Sequence, residues 1–194
     1  MSSMLILLMI GALTGTWLLS GVVPAMIYYG LQILNPNVFL FAACIVCIIV
    51  SIATGSSWTT AATVGIALIG IGKAMGFQEG MIAGAVLSGA YFGDKISQLS
   101  DTTNLAPAMA GTDLFTHIKY MAYTTIPSIT ITLIIFLAIG LRFEGQIETT
   151  QTDLILNAIT EKFEINGWLF LVPMIVIFLI IKKVQRVSLN STKF

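Results

Sequence analysis

The sequence predicts an all-α polytopic membrane protein with about five to six membrane segments, some of them broken or re-entrant. Two observations carry this. Of 194 residues, 57% are hydrophobic and only 9% are charged, against about 45–50% and about 25% in ordinary soluble domains. No charged side chain occurs between Met1 and Gly72, a run with a probability of roughly one in a billion at the ordinary charge frequency. These facts exclude a soluble globular domain, a disordered chain and a nucleic-acid binder, which needs a basic face. One span takes about 20 apolar residues, so the length holds at most about six. The N-terminus lacks a basic region and its apolar run is far longer than that of a cleavable signal, so it does not read as one.

The first span runs from Met4 to Val23 and meets Pro24, where a kink lets the helix continue through Tyr28-Tyr29 to Leu34. Gly11 and Gly15, with Ala12 and Thr16, give it a stripe of small residues for close helix contact. Asn35-Pro36-Asn37 is the first clear turn, and Val38 to Thr54 is a second span. Cys44 and Cys47 inside it read as buried packing residues, since no other cysteine exists and His117 is the only histidine. Gly55-Ser56-Ser57-Trp58-Thr59-Thr60 then breaks the apolar sequence. The stretches that follow, Ala61 to Gly72 and Met81 to Phe92, are each too short for a core of about 30 Å, with Lys73 and Glu79 as loop charges between them. Such segments beside polar breaks predict re-entrant or broken helices, which membranes tolerate only when buried in protein or lining a cavity.

Asp113 to Lys119 reads as an N-capped helix start, which gives His117 a structural role. Met121 to Leu141 is a span carrying Pro127. Residues 142–166 form a polar loop with 2 basic and 5 acidic residues, and Gly167 to Ile181 is a last span. Residues 182–194 are a tail carrying Lys182, Lys183, Arg186 and Lys193. The positive-inside rule places this tail in the cytoplasm and the 142–166 loop outside. The whole chain, 1–194, reads as a single transmembrane domain without a visible internal repeat.

The chemistry concentrates between Ser88 and Asp113. Asp94, Asp101 and Asp113 sit there among hydroxyls, an amide and small residues. Asp94 and Asp101 are seven apart and share a face if the region is helical. If Ser100 to Asn104 is unwound, its carbonyls are free. Carboxylate, hydroxyl, amide and carbonyl oxygens are the ligand set of a hard cation such as Na+. In such a site the cation and a proton compete for one carboxylate, since either removes a charge that is costly away from water. The plainer readings are an interfacial Asp94–Lys95 ion pair and an N-cap for a helix starting near Asn104. A cap explains one residue but not a dense polar cluster between two apolar stretches, and intramembrane ionisable groups are functional by default. Asp101 is the expected proton carrier, because the hydroxyls and amide crowd around it in sequence while Asp94 has Lys95 beside it. Gly55 to Thr60 is expected to be a supporting unwound turn that lends carbonyls.

ATGSSWTTAATVGIALIGIG, followed by AGAVLSGAYFGDKISQLSDTTNLAPAMAGTDLFTHIKYM, resembles the Na+/H+ antiporter NhaC family of the ion-transporter superfamily, over roughly Ile6 to Ile181. The resemblance implies a secondary antiporter of the cell membrane, built from inverted repeats with broken helices and a midplane cation site, exchanging Na+ for H+ by alternating access. Some members couple Na+ and H+ to malate and lactate exchange. It favours Asp94, Ser100, Asp101, Thr102, Thr103 and Asn104 as the cation- and proton-binding set, with Asp101 and Asp94 as the Na+ carboxylates. Gly55, Ser56, Ser57 and Thr59 form the supporting break. The implied partners are Na+, H+ and the lipid bilayer, with no cofactor beyond the transported ions. Members are more than twice this length, so the chain is expected to hold about one repeat and to need the missing half or a homodimer partner.

Three other readings have distinct signatures. An organic-acid exchanger needs a cationic partner for its substrate, and Lys95 is the candidate nearest the cluster. An intramembrane aspartyl protease needs a carboxylate dyad, but Asp94 and Asp101 lie in one short segment. A non-transporting fragment inserts stably and shows no cation dependence.

Overall fold

The computed structural model describes residue 12 and residues 15–17, 19–142, 149–172 and 174–175. All regular structure among them is helical: α1 (Val22–Ile33), α2 (Pro36–Thr54), α3 (Ser57–Thr60), a π-helical turn (Ala61–Gly65), α4 (Ile66–Ala74), α5 (Glu79–Ile96), α6 (Asp101–Ala110), α7 (Leu114–Leu141), α8 (Thr149–Lys162) and a 3-10 turn (Gly167–Phe170). Two helices, α2 and α7, are long and apolar enough to cross a membrane.

Local chemistry sets the boundaries. Asn35 caps α2 by accepting from the Asn37 amide at 3.0 Å, with Pro36 in the first helical position, so the Asn-Pro-Asn turn is itself the helix start. Pro24 does not kink a long first span. The chain breaks at Gly21, in a left-handed conformation with φ of 85°, and Pro24 falls in the first turn of α1. Its missing N–H removes no hydrogen bond there. Much of the first span, Gly11 included, lies outside the described residues; of its small-residue stripe, a Cβ on Gly15 would meet nothing within 4 Å, so the expected close helix contact is not made there among the described residues.

Residues 57–74 run as one continuous rod through the π-turn, roughly 27 Å long at about 1.5 Å per residue. It ends on a Schellman closure, with Phe77 N–H bonding Gly72 O at 2.9 Å and Gly76 N–H bonding Lys73 O at 3.0 Å. Lys73 and Glu79 pair across this turn. The second apolar stretch is not broken within itself either. Its flanks are helical, so α5 includes Asp94 and Lys95 in its last turn.

The core is the contact of α2 with α5. Ala43, Cys47, Ser51 and Gly55 recur every fourth residue on α2, and Ala85, Gly89, Gly93 and Ser97 do so along α5. A Cβ on Gly89 would collide with the Cys44 carbonyl, and one on Gly93 would sit 2.7 Å from Ile48 O and 2.9 Å from Ile52 N. The two backbones therefore touch, as small-residue stripes allow. Contacts advance together along both chains, so the helices run parallel and end at the same level. Phe39, Leu40, Ile82 and both cysteines are fully buried around this seam, and the cysteines are unpaired packing residues as the sequence suggests. At the opposite end, Gly140 of α7 lies against the Asn37 backbone, which sets α7 beside the start of α2.

The segment 142–166 is not simply a polar loop. It contains α8, which packs on α1 and α4, and Phe163 just after it lies beside Gly21. Of the last predicted span, Gly167–Phe170 forms the 3-10 turn, and Leu169 packs with Trp17, Val22 and Ala67. The basic tail, 182–194, lies outside the described residues.

The seam predicts opposite outcomes for two glycines of α5. Gly93→Val is expected to destabilise the detergent-solubilised chain by about 2–3 kcal/mol, because the added atoms meet backbone. Gly80→Ala, which meets nothing within 4 Å, is expected to be neutral or to stabilise by under about 1 kcal/mol. Thermal unfolding of the two variants checks this.

Candidate functional site

Where α2 and α5 end, the chain breaks twice. At the first break Gly55 takes φ of 68° and closes α2 through its N–H to Ser51 O at 2.8 Å. Ser56 is extended and caps α3, accepting from the Thr59 amide at 3.2 Å and the Thr59 hydroxyl at 3.0 Å. The break is therefore two residues long, not the predicted six, because Ser56 restarts the helix at once. Downstream, Thr60 Oγ1 donates to Ser56 O at 2.9 Å and Thr63 Oγ1 to Thr59 O at 2.6 Å. These bonds bracket the entry to the π-turn, a form of helix that recurs at functional positions.

The second break is Ser97 to Ser100. Ser97 Oγ donates to Ile52 O at 2.8 Å and accepts from Leu99 N at 3.1 Å. Ser100 caps α6, accepting from Thr103 N at 3.4 Å, and shares a hydrogen bond with Thr102 Oγ1 at 2.9 Å. Residues 101–104 are thus helical rather than unwound, and the cap sits earlier than the predicted start near Asn104. Because the helix is interrupted between them, Asp94 and Asp101 belong to different helices and share no face.

The breaks touch. A Cβ on Gly55 would lie 2.5 Å from the Leu99 carbonyl carbon and 2.8 Å from its oxygen. Ser51 Oγ donates to Ala90 O at 2.6 Å. Thr103 Oγ1 donates to the carbonyls of Asp94 and Lys95, both at 3.2 Å. The end of α2 is therefore capped by a hydroxyl of the second break, and the end of α5 by Thr103 at the start of α6, which satisfies carbonyls that a helix terminus leaves open.

At this junction Ser57 Oγ, at the start of α3, donates to Asp94 Oδ2 at 2.9 Å. Ser57 is buried and Asp94 half-buried. Lys95 does not pair with Asp94. Neighbours on a helix point about 100° apart, and Lys95 faces α7. Asp101 opens α6 on its exposed side, as does Thr102. Asn104 turns its amide back, donating to Gln98 O and Ser100 O, both at 2.7 Å. Among the predicted site residues, the structure gathers Asp94, Ser57, Thr103 and Gly55, with Ser100 at the edge. The side chains of Ser100, Thr102, Thr103 and Asn104 bond one another and backbone groups. Ser51 and Ser97 were not singled out in sequence as site residues, although both continue the four-residue small-residue spacing into the breaks.

The junction thus brings one carboxylate and one hydroxyl together where α2 and α5 end and α3 and α6 begin; oxygens of these kinds are what a hard cation takes. As the sequence predicts, Asp113 caps α7, accepting from the Phe115 and Thr116 amides at 3.0 and 3.1 Å.

The sequence model of the Na+/H+ antiporter family matches residues 89–190, just over half of the chain. The chain belongs to the Na+/H+ antiporter family. It is 43% identical over 184 residues to the malate-2H(+)/Na(+)-lactate antiporter of Bacillus subtilis, covering 94% of this chain and 39% of that protein. It is 43% identical over 178 residues to the Na(+)/H(+) antiporter NhaC of Alkalihalophilus pseudofirmus, covering 92% and 38%. Similarity extends, at 42% over 144 residues, to the arginine/ornithine antiporter ArcD of Halobacterium salinarum, covering 74% and 30%. The chain thus spans about two fifths of the length of the first two relatives. No solved structure matches. The family is one of antiporters, not of enzymes, so the aspartyl protease reading falls.

Two glycines with the same φ separate close approach from strain. Gly55→Ala, against the Leu99 backbone, is expected to cost about 3 kcal/mol or more. Gly111→Ala, with φ of 68° and nothing within 4 Å, is expected to cost only the left-handed penalty, about 1–2 kcal/mol. Unfolding midpoints in one detergent compare the two.

Proposed function

We propose that this chain carries the cation site of a secondary antiporter that exchanges Na+ for H+ across the cell membrane by alternating access. The observation that carries the reading is the Ser57–Asp94 hydrogen bond at 2.9 Å, which ties a carboxylate of one helix end to the restart of the other. Na+ and a proton are alternative occupants of Asp94. With Na+ bound, the carboxylate and the Ser57 lone pairs supply oxygens. With a proton bound, the charge is removed and the site crosses the membrane neutral. Family membership and the names of the NhaC relatives support Na+ and H+ as the transported ions.

Asp94, rather than Asp101, is the proton carrier in this reading, because it is the carboxylate held between the breaks. Asp101, Ser100, Thr102, Thr103 and Asn104 shape the start of α6, and Gly55, Ser56 and Thr59 shape the first break. Relatives of more than twice this length supply a second half. Asp94 and Ser57 bind the ion within this chain, that half or a second copy completes the path across the membrane, and the basic tail faces the cytoplasm by the positive-inside rule.

The test is equilibrium binding of radioactive Na+ to the purified chain at two pH values. Wild type is expected to bind saturably and to lose Na+ as pH falls. Asp94→Asn is expected to abolish binding, Ser57→Ala to weaken it roughly threefold to tenfold, and Asp101→Asn to leave it largely intact. Loss in Asp101→Asn with retention in Asp94→Asn would reverse the assignment.

A further inference from the structure

Residues 56–60 lie between two places where the backbone departs from α-helix. On one side are left-handed Gly55 and extended Ser56. On the other is the π-turn Ala61–Gly65. This short piece carries Ser57, whose hydroxyl reaches Asp94 at 2.9 Å.

Its neighbours are fixed more firmly than it is. In α4, a Cβ on Gly70 would lie 2.5 Å from Ile27 Cδ1, and one on Gly72 would lie 2.6 Å from both Phe39 and Ile82. At the far end of the π-turn, a Cβ on Gly65 would lie 2.7 Å from Val86 Cγ1. The side-chain bonds from residues 56–60 to α2 run through Thr54 and are long, at 3.4 Å to Ser56 N, Ser56 O and Thr60 Oγ1. The shorter Ser57–Asp94 bond joins the piece to α5.

A π-turn bonds residues five apart instead of four, so it takes up one residue more than α-helix of the same length. That residue is a reserve. If the turn relaxes to α-helix while α4 stays in place, every residue before it advances one position. The step is about 1.5 Å along the rod and about 100° around it. Ser57 then leaves Asp94, and Trp58, exposed in this structure, turns toward the junction. The buried place of Thr60 passes to Ala61, a smaller side chain with no polar atom. Gly55 and Ser56 absorb the step as a hinge. In the present form Thr63 Oγ1 donates to Thr59 O at 2.6 Å, a side-chain bond placed where the ladder changes its spacing.

We propose that the π-turn is a one-residue register switch that moves Ser57 on and off Asp94, with Na+ favouring the π form. A cation shared by Asp94 and Ser57 binds that form and draws the equilibrium to it. The proposal rests on Asp94 and Ser57 as the cation site.

The experiment is 19F NMR of the purified chain labelled with fluorotryptophan, titrated with NaCl against choline chloride at fixed pH and ionic strength. Trp58→Phe assigns the Trp58 signal, and Na+ binding is measured on the same samples. Wild type is expected to show a Trp58 signal that shifts or splits without Na+, while those of Trp17 and Trp168 stay still. Deleting Ala62 removes the reserve and leaves Ser57 at Asp94 on a plain α-helix. That variant is expected to bind Na+ within about threefold of wild type and to lose the Trp58 response, which a direct effect of the bound ion would preserve. If it does not fold, Thr63→Val decides. It should raise the Na+-free population of the turned form about threefold or more. A static Trp58 in wild type that binds Na+ overturns the switch. So does a full Trp58 response or lost Na+ binding in the folded deletion, or an unchanged population in Thr63→Val. Na+ binding that is absent from wild type, or undiminished in Asp94→Asn, overturns the site and the switch together.

Discussion

The rest of the structure depends on the contact between α2 and α5 at backbone distance. Gly89 and Gly93 leave no room for a side chain against Cys44, Ile48 and Ile52, and the facing positions on α2 are Ala43, Cys47 and Ser51. In lipid, helices gain little from burying apolar surface against each other, so close van der Waals contact of this kind is what holds a pair in register. The pairing is parallel, and its consequence is topological. Two helices that run side by side in one direction also end side by side, and both chains must turn there.

Turning inside a membrane leaves carbonyls and amides without partners, which hydrocarbon cannot supply. Hydroxyls of the second break and of the helix after it solve this for both helix ends. Ser97 of the second break bonds Ile52 O in the last turn of α2, and Thr103 bonds the last carbonyls of α5. Ser56 and Ser100 restart helices at once. The Ser57–Asp94 bond is the one link in this set that ends on a charge. A site made in this way is positioned by packing rather than by loops, since moving Asp94 requires moving the α2–α5 seam.

Much of this was legible in the sequence. The α2 and α7 spans, the presence of breaks near Gly55 and Ser100, the Asp113 cap and the packing role of the cysteines all follow from composition and turn chemistry. What was not legible depends on contacts between distant segments. The glycines of α5 read as part of a short apolar stretch, because their value appears only against α2. The break at 55–60 looked longer than it is, since one serine cap converts four of its residues to helix. Sequence neighbours misled twice. Lys95 beside Asp94 looked like an ion pair, but helical neighbours diverge. The hydroxyls and amide following Ser100 looked like a shell around Asp101, yet in the fold they bond one another and carbonyls. Nothing in the hydropathy signalled the π-turn, and α8 was hidden by the charges of its segment.

In the proposed exchange one carboxylate, Asp94, is shared in turn by Na+ and a proton at the meeting of the two breaks. Proton release on adding Na+ to the purified chain in weak buffer tests it most directly, because displacement of a proton by a cation is the exchange itself. Release is expected to approach about one proton per Na+ bound when Asp94 begins protonated, to be unaffected by Asp101→Asn and to be absent in Asp94→Asn. Undiminished release from folded Asp94→Asn would contradict it.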